Sequence, residues 1–286
     1  MTTQEKQKIL KKNLKDFQGR LEISKKQKAL TITELATEIA DCEEGYLTAL
    51  RDALNSSLSP DEEAMLLSGV CCTDLGDRIR SMLFIGSSEP TQAGTHSKIS
   101  FVKNKYNDTA FDEFSRTVIN AKPDYASSFK ESCESVYDGR CEFCILPLTN
   151  SSDGRLMSFY ALIDRYELKI CNYTDIEDDI SGNIRLALLS RSCKEPKDKK
   201  SADKRYIFEF STNAESTKFI SDLLLAAKTL DAELLSIDSI PLEYSLSAQR
   251  FFFTFSAYPR ELLALRLFIA LKNQSYTPIG LYQNKN

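Results

Sequence analysis

The stretch Phe143-Cys144-Ile145-Leu146-Pro147-Leu148-Thr149-Asn150-Ser151-Ser152-Asp153-Gly154 constrains this chain more than any other. Four apolar residues run into a proline, and a polar Asn-Ser-Ser loop opens just past them. A short apolar run bounded by turn residues is the pattern of a buried strand. In α/β sheets ligands sit beyond the carboxyl ends of strands, so a small-molecule site is expected where this strand ends.

The rest of the chain sets the frame. At 286 residues there is room for two or three domains, and 42% hydrophobic residues suffice for packed cores. A net charge of −4 fits neither a polyanion nor a nucleic-acid sponge. No apolar run reaches the roughly 18 residues of a membrane span, so no membrane partner is expected. The start, Met1-Thr2-Thr3-Gln4-Glu5-Lys6, has no apolar stretch of the signal-peptide kind, which points to the cytoplasm. The eight cysteines then read as reduced thiols. The single histidine, His96, argues against histidine triads and histidine-rich metal sites; no cofactor or metal is implied. Cys141 and Cys144 form a CxxC, but a strand over 141–146 would send them to opposite faces, as two core thiols.

Two polar, proline-containing segments, 86–95 and 192–204, divide the chain into 1–85, 97–192 and 203–286. The first part is expected to be all-helical, near 13–28, 32–40, 44–54, 60–70 and 74–84. Thr31 with Glu34 reads as a capping box, and Ser59-Pro60 as a cap followed by proline at the first helical position. The middle part reads as a strand at 98–102, a helix at 110–121, a helix at 127–138, the strand of the opening stretch, a helix at 156–166, and strands at 168–171 and 184–189. The last part reads β-α-β-β-α-β: 205–210, 217–230, 232–240, 250–257, 259–273 and 277–281, a ferredoxin-like unit.

The middle and last parts together resemble the prephenate dehydratase family. Its Pro-Ile-Glu-Asn-Ser segment corresponds to Pro147-Leu148-Thr149-Asn150-Ser151, with Thr149 in place of the glutamate. Its Thr-Arg-Phe motif corresponds to Ile184-Arg185-Leu186, with Ile184 in place of the threonine. The resemblance implies that Asn150, Ser151 and Arg185 are the family-equivalent catalytic positions. It also implies an α+β protein: an all-α N-terminal domain, a central α/β lobe of periplasmic-binding-protein type and a C-terminal ferredoxin-like ACT domain. Departures accompany the match. The glycine-rich loop of the family is Lys103-Asn104-Lys105-Tyr106-Asn107-Asp108-Thr109, without glycine. Only 38 positions separate Pro147 from Arg185, too few for the family's second lobe, since a domain needs at least about 50 residues.

The family's ACT domain senses phenylalanine. Its Gly-Ala-Leu-Val helix start falls near Thr217-Lys218-Phe219-Ile220, and its Glu-Ser-Arg-Pro strand end on Asp238-Ser239-Ile240-Pro241. An aromatic amino acid would thus meet Lys218, Phe219, Asp238, Ser239 and Pro241, with Asp238 taking its ammonium. ACT units pair edge to edge, and the alternating face Phe251, Phe253, Phe255 points to a homodimer through this part.

The first part carries two competing resemblances. Leu30-Thr31-Ile32-Thr33-Glu34-Leu35-Ala36 followed by Gly45-Tyr46-Leu47 is similar to a lambda-repressor-like helix-turn-helix. The first 30 residues carry nine Lys/Arg against three Asp/Glu, which leaves DNA open as a partner, while Glu43-Glu44 at the recognition-helix start opposes it. Residues 59–80 instead resemble the end of a chorismate mutase, with Gly76 and Arg80 where that family has serine and glutamine. Its arginine before the family glutamate falls on Cys42, beside Glu43. The reading of the whole is a regulatory, non-catalytic prephenate dehydratase-like protein linked to phenylalanine synthesis. The alternative is a divergent dehydratase, alone or joined to a mutase, that makes phenylpyruvate from prephenate.

Overall fold

The computed structural model describes residues 26–27, 29–40, 46–55, 58–83, 97–178, 182–192, 204–213, 217–241, 249–273 and 275–283. The described N-terminal residues are helical: α1 over 29–40, α2 Tyr46–Leu54, α3 Pro60–Cys71 and α4 Leu75–Met82. Ser59 and Pro60 start α3 as expected. Ser59 is extended, and its backbone N–H and hydroxyl both donate to the Glu62 carboxylate, at 3.0 and 2.8 Å. The cap expected at Thr31 is not there, because the helix runs through it. The Thr31 hydroxyl donates to the carbonyl of Gln27, a bond of the helix interior. Most of the helix expected over 13–28 lies outside the described residues.

The middle part folds as β1 Lys98–Val102, α5 Lys105–Ser115, β2 Lys122–Ala126, α6 Phe129–Tyr137, β3 Phe143–Asn150, β4 Gly154–Arg155, α7 Met157–Arg165, β5 Lys169–Asp178 and β6 Gly182–Ser190. The strand order is β2-β1-β3-β6-β5, with β4 beside β3. β1 lies parallel to β2 and β3, while β6 is antiparallel to β3 and β5. Two expectations change here. The helix placed at 110–121 begins at Lys105, because Asn104 is extended and its side chain accepts the Asn107 N–H at 2.9 Å. The strand β2 was not expected, since Pro123 cannot donate to a ladder; β2 lies at the edge of the sheet, where proline is tolerated. Between Pro147 and Arg185 the chain forms β4, α7, β5 and the start of β6, all on this one sheet. Among the described residues there is no second α/β lobe.

The last part folds as β7 Tyr206–Asn213, α8 Thr217–Thr229, β8 Glu233–Pro241, β9 Gln249–Ala257, α9 Pro259–Lys272 and β10 Thr277–Gln283. The β-α-β-β-α-β order holds, and the four strands are arranged β10-β7-β9-β8, all antiparallel. β10 also meets β5 in parallel, at Gly280 opposite Ile170, so a single mixed sheet runs through both parts.

Helices cover both faces of that sheet. On the front, α6 and α7 bury Val136, Leu146, Tyr160, Ile170, Tyr173, Phe252 and Tyr282. On the back, α5 covers Phe101, Ile145, Ile184 and Leu188, while α8 and α9 cover Phe208, Phe210, Phe253 and Phe255. The helices α1–α4 pack outside α8 and α9 and share their core. That second layer explains α9, buried continuously from Leu262 to Ile269: a helix buried on every face belongs between two layers, and the one charged residue of the run, Arg266, donates to the Leu83 carbonyl. It also corrects the expectation of a phenylalanine dimer face. Phe253 and Phe255 are fully buried inside the chain's own core, and Phe251 packs at its margin. Each such burial contributes about 1.5–3 kcal/mol.

The cysteines divide. Cys71, Cys133, Cys141 and Cys144 are buried free thiols, and Cys72 is exposed. Cys141 precedes β3 instead of lying in it; burial, with the Asp124 carboxylate beside it, pushes its thiol up to about 11. The expectation that every cysteine is reduced does not hold at Cys171, which is disulfide-bonded.

Candidate functional site

At the end of β3 the sheet forms a polar cavity of about 210 Å³, lined by Thr149, Asn150, Ser151, Asp175, Asn183 and Arg185. The three family-equivalent positions Asn150, Ser151 and Arg185 are therefore brought together. β3 ends in a tight turn in which the Asn150 side-chain oxygen accepts the N–H groups of Ser152 and Asp153, at 2.6 and 2.9 Å. Ser151 is tied to the start of β6: its hydroxyl donates to the Asn183 carbonyl and accepts the Asn183 N–H. Gly182 permits this approach. Its φ is +67°, and a Cβ there would fall 2.8 Å from that of Ser151.

Arg185 is held from two directions. Its Nε and Nη2 donate to Oδ1 and Oδ2 of Asp175, at 2.7 and 2.9 Å, directly across the β5–β6 pair. Its guanidinium lies 4.2 Å from the centre of the Tyr173 ring. Burial favours losing the proton, but the Asp175 hydrogen bonds and charge outweigh it and hold Arg185 more firmly protonated than usual. Ile184, at the position of the family's threonine, points the other way and is buried in the back core. Asp175, Asn183 and Tyr173 were missed from sequence. The usable signal was the hairpin: with Asp178 opposite Gly182, Asp175 must face Arg185.

Next to this cavity, at the join of the two strand systems, lies a second polar cluster. Arg155 of β4 is nearly buried and donates to Glu209, to Asp238 at 2.8 Å, to Ser236 at 2.8 Å and to Thr254 at 2.7 Å. Glu209, only 2% exposed, also accepts the hydroxyls of Tyr160 and Tyr282. Burial raises both tyrosines above their ordinary range, and the Glu209 charge adds to it. Tyr282 in turn meets Tyr173 edge to face, with ring centres 5.3 Å apart. Arg250 makes a parallel tie, pairing with Asp164 of α7 at 2.7 Å.

The expected ligand residues of the last part are placed as follows. β7 and β8 run in the same direction, so the start of α8 (Lys218, Phe219) and the end of β8 (Ser239, Pro241) share one end of the unit. Lys218, Ser239 and Pro241 are exposed and Phe219 is half-buried. Ser239 donates to Gln249 at 2.7 Å. Asp238 faces the front and is taken by Arg155, whereas α8 lies on the back.

Of the N-terminal candidates, Cys42, Glu43, Glu44 and the basic residues 1–25 lie outside the described residues, as does His96. Gly76 has no room for the mutase serine: a Cβ there would lie 2.4 Å from the Cys71 carbonyl oxygen. Arg80 is exposed and pairs with Asp77. Among the described residues no cluster of His, Cys, Asp and Glu could hold a metal ion, and no helix is long and apolar enough to cross a membrane.

No family model matches this chain, and no curated protein matches it. Solved structures do. The prephenate dehydratase of Streptococcus mutans superimposes with a TM-score of 0.52 at 17% identity, over 65% of this chain and 98% of that one. The prephenate dehydratase of Arthrobacter aurescens, in complex with L-Phe, gives 0.52 at 12% identity, over 65% and 90%. GqqA, described as a novel type of quorum quenching acylase, gives 0.51 at 21% identity, over 66% and 95%. The fold is prephenate dehydratase-like. Identities this low speak for the fold alone.

Proposed function

We propose that this chain is a regulatory, non-catalytic protein of prephenate dehydratase-like fold, linked to aromatic amino acid synthesis and responsive to an aromatic amino acid. The observation that carries the reading is Ile184. Dehydration needs a positioned proton donor in an enclosed site. The residue at the threonine position has no hydroxyl and is buried behind the sheet.

The ligand reading rests on the ferredoxin-like strand order and on the neighbour solved with L-Phe. The site is the end of the unit that carries Lys218, Phe219, Ser239 and Pro241, with α8 amides to receive the carboxylate. Since Asp238 is engaged by Arg155, it is not available for the ammonium, and affinity is weak. The dimer reading passes from the phenylalanine face to the sheet edge. The β2 edge is guarded by Lys122 and Pro123, whereas β8 presents Leu235, 46% exposed, and Ile237, 39% exposed.

Incubation of the purified protein with prephenate is expected to give no phenylpyruvate above the uncatalysed rate. Turnover would overturn the reading in favour of a divergent dehydratase. Calorimetry with phenylalanine, tyrosine and tryptophan tests the ligand, and sedimentation at micromolar concentration tests the dimer.

A further inference from the structure

We propose that the cavity at the end of β3 binds the zwitterionic head of a small polar α-amino acid, its carboxylate on Arg185 and its ammonium on Asp175. This site is separate from the end of the ferredoxin-like unit discussed above, and it stands whether or not that unit takes a ligand.

Three features select the ligand. The first is the geometry of the ion pair. Asp175 takes the Nε–Nη2 side of the guanidinium. That leaves the Nη1–Nη2 end, with its parallel N–H pair, for another carboxylate. The Asp175 oxygens each accept one of these bonds and retain lone pairs for an ammonium. Tyr173, under the guanidinium, fixes the plane of the fork.

The second feature is charge. Among the described residues that line the cavity, Arg185 and Asp175 are the charged ones, and their charges are opposite. The neighbouring arginine, Arg155, is committed to Glu209 and Asp238. A dicarboxylate would find one cation, already half satisfied, and a carboxylate repelling it. A zwitterion meets an opposite charge at each end.

The third feature is size and lining. At about 210 Å³ the cavity is smaller than the roughly 300–1,000 Å³ of sites for drug-sized ligands. The other described residues of its wall are Thr149, Asn150, Ser151 and Asn183, all polar. A short polar side chain fits these walls; an aromatic ring does not.

The probe is L-serine, titrated into the full-length protein by calorimetry and by amide chemical shifts. N-acetylserine, serinamide and malate serve as analogues lacking the ammonium, lacking the carboxylate, and carrying two carboxylates. Serine is expected to bind, and each analogue to bind about tenfold more weakly or worse, because a charge-assisted hydrogen bond is lost. Asn183→Trp, which fills the cavity without touching the ion pair, is expected to abolish serine binding with an unchanged Tm. Arg185→Gln and Asp175→Asn should abolish it as well. Absence of serine binding at about 10 mM overturns the proposal. So does malate or N-acetylserine binding as tightly as serine, or serine binding that survives Asn183→Trp.

Discussion

Two arginines on the front of the sheet have nearly the same surroundings and opposite fates. Arg155 lies 4.0 Å from the centre of the Tyr160 ring and Arg185 lies 4.2 Å from that of Tyr173; each pairs with a carboxylate. Arg155 makes four hydrogen bonds, two from each Nη. Glu209, Asp238, Ser236 and Thr254 surround its guanidinium, and the cluster ties β4 to β7, β8 and β9. Arg185 has one carboxylate, from its own hairpin, and a cavity in front of it. The same side chain serves as a clamp where both Nη groups are fully engaged, and as a recognition group where part of the fork is left over. Connection decides the role, not residue type.

The largest effect is expected from breaking the clamp. Glu209→Ala would leave Arg155 charged and nearly buried and the Tyr160 and Tyr282 hydroxyls without their acceptor, at a cost of about 3–5 kcal/mol. Denaturant unfolding measures this. The double change Arg155→Met with Glu209→Leu should cost less than Glu209→Ala alone, because the nearly buried guanidinium is gone and the carboxylate it releases, Asp238, is 30% exposed and reaches water. A double change that costs as much as Glu209→Ala or more breaks the clamp description.

A second test uses pH. Tyr160 and Tyr282 are raised above the ordinary tyrosine value by burial and then by Glu209. The native state keeps both protons after unfolded tyrosines begin to lose theirs, near pH 10. Their contribution to stability is complete below about pH 10 and is lost as pH rises beyond it. Urea midpoints followed from about pH 8 to about pH 11 should fall at the alkaline end. The fall should be shallower in Tyr160→Phe and Tyr282→Phe. An equal fall in those variants would show that the cluster does not hold the protons.

The smallest effect on stability is expected at Arg185. Its pair with Asp175 is partly exposed, at 24% and 31% of the two side chains, so Arg185→Gln should cost about 1 kcal/mol or less. A loss as large as that of Glu209→Ala would erase the distinction between clamp and recognition group.

Much of this fold was legible because its signals are local. The alternation of Arg205–Phe210, the proline that opens α9 and the cap at Ser59 depend on neighbours a few residues away, and those elements lie close to where the pattern places them. Asn104 was overlooked as a cap because it sits among other polar residues, and β2 because of Pro123. At the candidate site, Asn150, Ser151 and Arg185 were legible and do converge on one cavity. Their controlling partner Asp175 was not, because its place opposite Arg185 depends on the register of a hairpin, and a slip of one residue would turn it to the other face.

The sequence by itself determined most of the strands and helices, the β-α-β-β-α-β order, the aliphatic residue at 184 and the shortness of the segment between Pro147 and Arg185. Tertiary structure alone decided which faces meet. It laid α8 and α9, and α1–α4 beyond them, over Phe253 and Phe255, turning an expected dimer face into core. It brought Arg155 to Glu209, 54 positions away, and thereby took Asp238 from any ligand. The physical reason is range: backbone propensity and periodicity act over a few residues. Which apolar face is covered, and which charge is neutralised, depends on distant segments that no local pattern specifies.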